Sequence, residues 1–159
     1  MCYAFHVNGR DIRPTDKTEA ITAQRPSLLS FGFRLPGGKL VANARAETAE
    51  EKPLFRDALE DGRVLIPADS FYEWDRDKVR HTFSLPGGRP MHFAGLRRGD
   101  AFVILTTAAN ACMAPVHGRM PLIVEHADAW LFSDSYRDVL RSVPPELERA
   151  AGIRQGRLF

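Results

Sequence analysis

The sequence has very little cysteine. Cys2 and Cys112 are the two cysteines among its 159 residues, and they form neither a CxxC pair nor a metal-ligand spacing. This excludes a disulfide framework and a cysteine-based metal centre as organising features. A strong charge of one sign is also absent, since 22 basic and 20 acidic side chains leave a formal net charge of +2. That balance permits a nucleic-acid partner without arguing for one.

Long hydrophobic runs, internal repeats and low-complexity linkers are missing as well. The longest uncharged stretch, Ala101–Val116, is too short and too polar to span a bilayer, and Met1–Arg10 lacks the apolar core of a signal peptide. We therefore expect one domain over residues 1–159. We further expect a cytoplasmic monomer with free thiols, with no cofactor, no metal and no membrane partner.

Short apolar runs separated by turn residues predict β-strands. Two Pro-Gly-Gly turns, at 36–38 and 86–88, favour antiparallel pairing of the strands around them. The periodicity leaves open whether the sheet closes on itself. The predicted strands are Leu28–Phe33, Arg63–Ala68, His81–Leu85, His92–Leu96 and Ala101–Ala108.

Helical patterns interrupt the strands. Ala46–Leu59 has an amphipathic pattern and Gly62 beyond it as a stop. Ala127–Leu140 predicts two short helices with a break near Ser133, and Pro144–Glu146 has the composition of a helix start. The fold class is therefore α+β, a compact domain with a largely antiparallel sheet and peripheral helices.

Cys2 has unusual chemistry if the initiator methionine is removed. A mature N-terminal cysteine offers an α-amine with a pKa of roughly 7.7–8.0 and a thiol with a pKa of roughly 8.5 on adjacent carbons. Such a 1,2-aminothiol captures aldehydes, since the amine forms an imine and the sulfur closes a five-membered thiazolidine. Taken alone, an incidental cysteine is the more common explanation. We expect a residue beside the terminus to contribute little packing.

Two polar side chains that follow apolar stretches are further candidates. Asn43 could orient another group through its amide, although a strand end leading into a helix explains the same pattern. Glu73 lies in the aromatic segment Phe71–Trp74, where an extended chain would place it on the same face as Phe71. Burial among aromatics would raise its pKa towards that of a general acid, whereas an exposed Glu73 would have no such role.

A loop after the strand Ala101–Ala108 carries His117 and Arg119. The imidazole of His117 suits proton transfer near neutral pH, and the guanidinium of Arg119 fits phosphate. A single loop histidine is more often solvated or structural, so this pair needs further support.

Several ordered segments together resemble the SOS-response-associated peptidase (SRAP) family of abasic-site processing proteins. The resemblance covers roughly Leu28–Trp130 and the first two residues. Where the family usually begins Met-Cys-Gly-Arg, this chain has Tyr3 and Ala4. The matching segments are Met1-Cys2, Asn43–Arg45 with Glu47-Thr48, Pro67–Asp69 leading to Tyr72–Trp74, Phe93–Leu96, Thr106–Ala109 and His117–Pro121.

The resemblance implies a barrel-like sheet and a basic channel for single-stranded DNA that contains abasic sites. In that family the mature Cys2 would trap the ring-opened sugar as a thiazolidine crosslink, with Asn43 positioning the amine. Glu73 would act as general acid and base, with a role in any autoproteolysis. His117 would assist sugar opening and any lyase step. The resemblance also implies that Arg45 and Arg119 contact phosphates.

Two other functions compete with crosslinking. An N-terminal cysteine could cleave peptide bonds as a peptidase or amidase, in keeping with the family's older name. Alternatively, the chain could be a single-stranded DNA-binding module without chemistry. The combination of Cys2, Asn43, Glu73 and His117 argues against a pure binder.

Overall fold

The computed structural model describes residues 2–154, except for the side chains of residues 151, 153 and 154. The described residues contain fourteen strands, three α-helices and two 3-10 turns, Ala49–Glu51 and Pro86–Gly88. The strands are β1 Phe5–Val7, β2 Arg10–Ile12, β3 Lys17–Ala20, β4 Ser27–Phe31, β5 Phe33–Arg34, β6 Leu40–Val41, β7 Asn43–Arg45, β8 Arg63–Ala68, β9 Ser70–Trp74, β10 Val79–Ser84, β11 Met91–Arg98, β12 Ala101–Ala108, β13 Arg119–Pro121 and β14 Glu148–Arg154. The helices are α1 Pro53–Asp61, α2 Ala127–Leu131 and α3 Tyr136–Leu140.

The larger sheet is a nearly closed barrel. Its strands follow the order β3-β4-β12-β11-β8, and β7 and β13 also pair with β12. The residue after β3, Ile21, exchanges two backbone hydrogen bonds of 2.9 Å with Leu65 on β8, which brings the two ends of the order together. All pairings in this sheet are antiparallel except those of β4 and β7 with β12. The predicted α+β class with a largely antiparallel, barrel-like sheet is confirmed.

A second, fully antiparallel sheet in the order β14-β10-β9-β1-β2 packs against the barrel through phenylalanine rings. Phe71 stacks on Phe83 within this sheet at 5.2 Å, and Phe5 meets Phe93 of β11 edge-on at 5.6 Å. Six phenylalanine rings of the two sheets are fully buried: Phe5, Phe31, Phe71, Phe83, Phe93 and Phe102. Burying such large apolar surfaces is a main source of stability in a small domain.

The helix predicted over Ala46–Leu59 begins later than expected, at Pro53. Lys52 has an extended backbone, with φ −90° and ψ 121°, because a proline disfavours helical geometry in the residue before it. Pro53 itself suits the first helical position. The chain before it forms β7 and a 3-10 turn, so Asn43 lies on a strand.

The last predicted helix, at Pro144–Glu146, is wrong. This segment has no regular structure, and Leu147 packs into the core before β14 pairs with β10. Pairing with an open sheet edge outweighs the local preference for a helix start. The two short helices with a break near Ser133 are confirmed as α2 and α3. No helix in the described range 2–154 is long and apolar enough to cross a membrane.

Candidate active site

Cys2 is part of the hydrophobic core. Its side chain is 0% exposed and belongs to the same buried cluster as Phe5 and Phe71. The expectation that it contributes little packing is therefore wrong. Burial raises the pKa of the thiol well above its ordinary value, and the negative charge of Glu73 raises it further. The thiol of the described chain is accordingly protonated at neutral pH.

Glu73 lies beside Cys2 because of the pairing of β9 with the segment around β1. Phe5 is opposite Phe71, and the backbone N–H of Tyr72 donates to the carbonyl of Ala4 at 3.0 Å, so the chain before β1 continues towards Glu73. Glu73 is 7% exposed and faces the core, as its place two residues after Phe71 predicts. The alternative of an exposed Glu73 is wrong. Burial raises the pKa of its carboxyl, which favours a proton-carrying form.

Asn43 joins the first residues of the chain to the barrel. It opens β7 and pairs with Ile104 of β12, while its Nδ2 donates to the carbonyls of Cys2 at 3.0 Å and Ala42 at 3.1 Å. The Ile104 carbonyl lies 3.5 Å from the same nitrogen. Three carbonyl oxygens around one amide group fix which end carries the N–H groups. The other end, Oδ1, is buried and has no hydrogen-bond partner within the described residues.

His117 lies just before β13 and is half-buried. Its Nδ1 accepts a hydrogen bond from the backbone N–H of Arg119 at 3.1 Å, so the neutral ring carries its proton on Nε2. Burial, followed by the positive charge of the amino terminus, lowers the pKa of His117. The ring is therefore a neutral Nε2–H donor at physiological pH.

The two arginines predicted to contact DNA have different surroundings. Arg45 is exposed at the end of β7. The side chain of Arg119 is 15% exposed, and its fork donates to both carboxylate oxygens of Glu47 at 3.2 and 2.8 Å. It also donates to the carbonyl of Thr106 at 2.9 Å and to its hydroxyl at 3.1 Å. Arg119 thus braces the strand that follows His117 against the end of β12.

The fold brings together a set that we call the Cys2 cluster. Its members are Cys2, Asn43, Glu73 and His117. Direct contact or charge links Cys2 to Asn43 and Glu73, and the amino-terminal charge acts on His117. Sequence reasoning missed His81, which is opposite Glu73 on β10. It is the first residue of the predicted strand His81–Leu85, which overlaps β10 at Val79–Ser84, but only strand register could show its neighbour.

No group of three or more histidine, cysteine or acidic side chains in the described part of the chain is arranged to hold a metal ion. The residues of the Cys2 cluster offer thiol, carboxyl, amide and imidazole groups, and removal of Met1 would add the α-amine of Cys2. These are the groups of nucleophilic and acid–base catalysis on a carbonyl carbon.

Comparison with known proteins identifies the family of this chain. The sequence model of the family described as SOS response associated peptidase (SRAP) matches residues 15–150. The chain belongs to the SRAP family. The matched region of this SRAP protein includes Asn43, Glu73 and His117, while Cys2 precedes it.

Curated relatives of this SRAP protein are named for abasic sites. It is 40% identical over 109 residues to abasic site processing protein YoqW of Bacillus subtilis, covering 59% of this chain and 49% of the relative. Abasic site processing protein YedK of Escherichia coli is 33% identical over 102 residues, covering 56% of this chain and 46% of the relative. The chain spans about half the length of the curated relatives it matches.

Solved structures share the fold over most of their length. A protein from Bordetella bronchiseptica superimposes with a TM-score of 0.75 at 26% identity, covering 89% of this SRAP chain and 86% of the other. A phage-related protein from the same organism gives 0.75 at 26% identity, covering 94% and 84%. The barrel architecture described above is thus found in other solved proteins.

Proposed function

We propose that this protein processes abasic sites in single-stranded DNA by forming a covalent thiazolidine crosslink through Cys2, once Met1 has been removed. The observation that carries this proposal is the place of Cys2. Its carbonyl accepts a hydrogen bond from Asn43, and its thiol is near enough to Glu73 for the carboxylate to raise its pKa. The names of the curated relatives support the choice of an abasic-site substrate.

The chemistry begins at the α-amine of Cys2. The amine adds to the aldehyde carbon of the ring-opened sugar, and loss of one water gives an iminium ion. The sulfur then adds to the same carbon and its proton leaves, which closes the thiazolidine with one water released overall. A thiol with a raised pKa fits this order, because the amine makes the first bond and the iminium is a strong electrophile for the second.

Glu73 serves both proton transfers in this scheme. Its protonated form donates to the hydroxyl that leaves as water, and the resulting carboxylate accepts the proton of the thiol. Burial raises the pKa of this carboxyl, so it holds a proton more readily than an exposed carboxyl and is better suited to donate one. The same group is our candidate for assisting any autoproteolytic step.

Asn43 and His117 orient and polarise the reactants. The buried Oδ1 of Asn43 lacks a donor among the described residues, and an N–H of the mature Cys2 amine would supply one. The Nε2–H of His117 would donate to the sugar ring oxygen and favour opening to the aldehyde, including in any strand-cleaving lyase step. The role of Asn43 uses the amide oxygen that has no hydrogen-bond partner within the described residues.

DNA contact is assigned first to Arg45, which is exposed at the end of the strand that begins with Asn43. Arg119 stays a predicted phosphate contact. For that role its fork would have to leave or share Glu47, and the bidentate geometry of that pair is a strong form of ion pair. We therefore propose bracing of the His117 loop as the main role of Arg119.

The test is a denaturing gel of the protein after incubation with an abasic single-stranded oligonucleotide. We expect a covalent band whose mass equals the protein without Met1 plus the DNA minus one water. A complex on a native gel with no covalent band would support the binding module instead. Cleavage of peptides without DNA adduct would support the peptidase.

The acid–base roles are separated by substrate choice. Glu73→Gln keeps the side-chain shape and removes the titratable proton, so crosslinking should slow by on the order of 100- to 10,000-fold. His117→Ala should slow reaction with a natural abasic site more than reaction with an acyclic aldehyde analogue, because the analogue needs no ring opening. Wild-type rates for both variants on both substrates would contradict the assignment.

A further inference from the structure

His81 and Asp75 form a histidine–carboxylate pair on the strand next to Glu73 and in the turn that leads to it. His81 of β10 is opposite Glu73 of β9 in the antiparallel register, so the two side chains share the inner face of the sheet. Both are almost completely buried, at 8% and 7% exposure. Side chains at directly opposite positions have Cβ atoms about 4.5–5.5 Å apart, within reach of each other's polar atoms.

The imidazole of His81 is held from one side only. Its Nε2 is 2.8 Å from Oδ2 of Asp75, and Oδ1 of the same carboxylate accepts the backbone N–H groups of Asp77 at 2.9 Å and Val79 at 3.0 Å. Asp75 is thus fixed by its own turn and in turn fixes the ring. The other ring nitrogen, Nδ1, is buried and has no hydrogen-bond partner within the described residues.

A buried ring nitrogen without a partner is rare in folded proteins and calls for one. No hydrogen bond joins Nδ1 of His81 to Glu73 in the described structure. We infer that His81 is a positioning residue for the proposed crosslinking reaction, because its Nδ1 takes up a hydrogen bond with the Glu73 carboxyl during the reaction and so holds that group towards Cys2. The inference rests on the proposed function. In this arrangement Nδ1 accepts a hydrogen bond from the protonated Glu73 carboxyl, while the N–H at Nε2 donates to Asp75.

Two substitutions of His81 test the contributions of its two ring nitrogens separately. The amide of glutamine reaches the place of Nε2, and that of asparagine the place of Nδ1. His81→Gln should keep the Asp75 contact and thermal stability while the maximal crosslinking rate falls about tenfold, as is common for outer partners of functional side chains. His81→Asn should lose stability but keep a faster rate per folded molecule than His81→Gln. The DNA concentration for half-maximal rate should not change in either variant.

Coupling to Glu73 distinguishes positioning from a general effect on the fold. If His81 acts through Glu73, His81→Gln combined with Glu73→Gln should be no slower than Glu73→Gln alone. The matched control is His6→Asn, because His6 faces its carboxylate through Nδ1, the position that an asparagine amide reaches. His6 forms a similar pair with Asp11 at 2.7 Å, but on the neighbouring strand β1 and on the outer face of the same sheet. We expect that control to crosslink at the wild-type rate.

The outcomes distinguish this inference from the proposed function. A wild-type rate for His81→Gln beside a slow Glu73→Gln would overturn the role of His81 and leave the proposed function standing. Additive losses in the double variant would also overturn it, since His81 would then act independently of Glu73. No covalent band with wild-type protein, or a wild-type rate for Glu73→Gln, would refute the proposed chemistry and the inference together.

Discussion

Two polar clusters in this protein are built in opposite ways. One is the Cys2 cluster at the junction of the two sheets. The other, which we call the Arg63 cluster, is formed by Arg63, Trp130 and Tyr136, where the short helices meet the barrel. Both place polar groups within the fold, but they differ in how many hydrogen bonds are left unmade.

The Arg63 cluster satisfies its own donors. Arg63 donates to the carbonyls of Leu59 in α1, Trp130 in α2 and Ser133 beyond it, so one side chain serves the ends of two helices. Its guanidinium lies 4.3 Å from the centre of the Tyr136 ring, and the indole N–H of Trp130 donates to the Val64 carbonyl at 2.9 Å. Such a closed network stabilises a fold.

Buried side-chain atoms without hydrogen-bond partners lie elsewhere among the described residues. They are Asn43 Oδ1, Arg80 Nε, His81 Nδ1 and Arg119 Nε. Asn43 belongs to the Cys2 cluster, His81 is opposite Glu73, and Arg119 follows His117 and bonds to its ring. Unmade hydrogen bonds cost stability, and the amine of a mature Cys2 would supply a partner for Asn43 Oδ1.

Replacing Cys2 should have the largest effect. We expect Cys2→Ala and Cys2→Ser to abolish the crosslink, because neither can close a sulfur-containing ring. The fully buried position also predicts that Cys2→Ala destabilises the fold by about 1 kcal/mol. The control is Cys112→Ala, a half-buried free cysteine, which should crosslink normally. A covalent band from Cys2→Ala on a denaturing gel would remove Cys2 from the mechanism.

Arg63→Met should destabilise the fold by about 3 kcal/mol, because three carbonyls lose their donor. Denaturant unfolding measures this loss, with the exposed Arg56→Met on α1 as control. The crosslinking rate per folded molecule should stay at the wild-type value. A slower rate at unchanged stability would break the contrast between the two clusters.

Asn43→Ala should slow crosslinking by about 100-fold, because misplacing a reacting group by roughly 1 Å costs about that factor in rate. The comparison is Asn110→Ala. The amide of Asn110 is satisfied at both ends, since it donates to the Pro145 carbonyl at 2.9 Å and accepts from the backbone N–H of Met113 at 3.0 Å. Its loss should lower thermal stability with less than about a tenfold change in rate. Equal rate losses would mean that Asn43 is structural too.

Arg45→Ala should have the smallest effect. One lost phosphate contact lowers the slope of log binding constant against log salt by about 0.7 for a single strand. The control is Arg25→Ala, because exposed Arg25 precedes β4, which pairs with the start of β12, whereas Arg45 pairs with Thr106 near its end. Binding titrations at several salt concentrations measure both slopes. An unchanged slope for Arg45→Ala would place this residue outside the DNA path.

Local pattern was enough for part of the fold. Arg63–Ala68 and Ala101–Ala108 were predicted to the residue, because both are continuous apolar runs bounded by polar or turn residues. The start of α1 at Pro53 and the irregular structure of Pro144–Glu146 were not predicted. Parallel pairing of β7 with β12 and antiparallel pairing of β14 with β10 involve partners more than 50 residues away. Such pairing overrides local propensity.

The amino-acid sequence is enough to identify the chemical groups of the site: an aminothiol precursor at Cys2, an amide at Asn43, a carboxyl among aromatics at Glu73 and an imidazole at His117. It also determined the apolar runs that become the barrel. Tertiary structure alone decided that Cys2 is buried, that Arg119 is held by Glu47 and that His81 stands behind Glu73. The physical reason is that burial and register arise from contacts between distant segments, and these contacts set both the pKa of a group and the atoms it has left for a substrate.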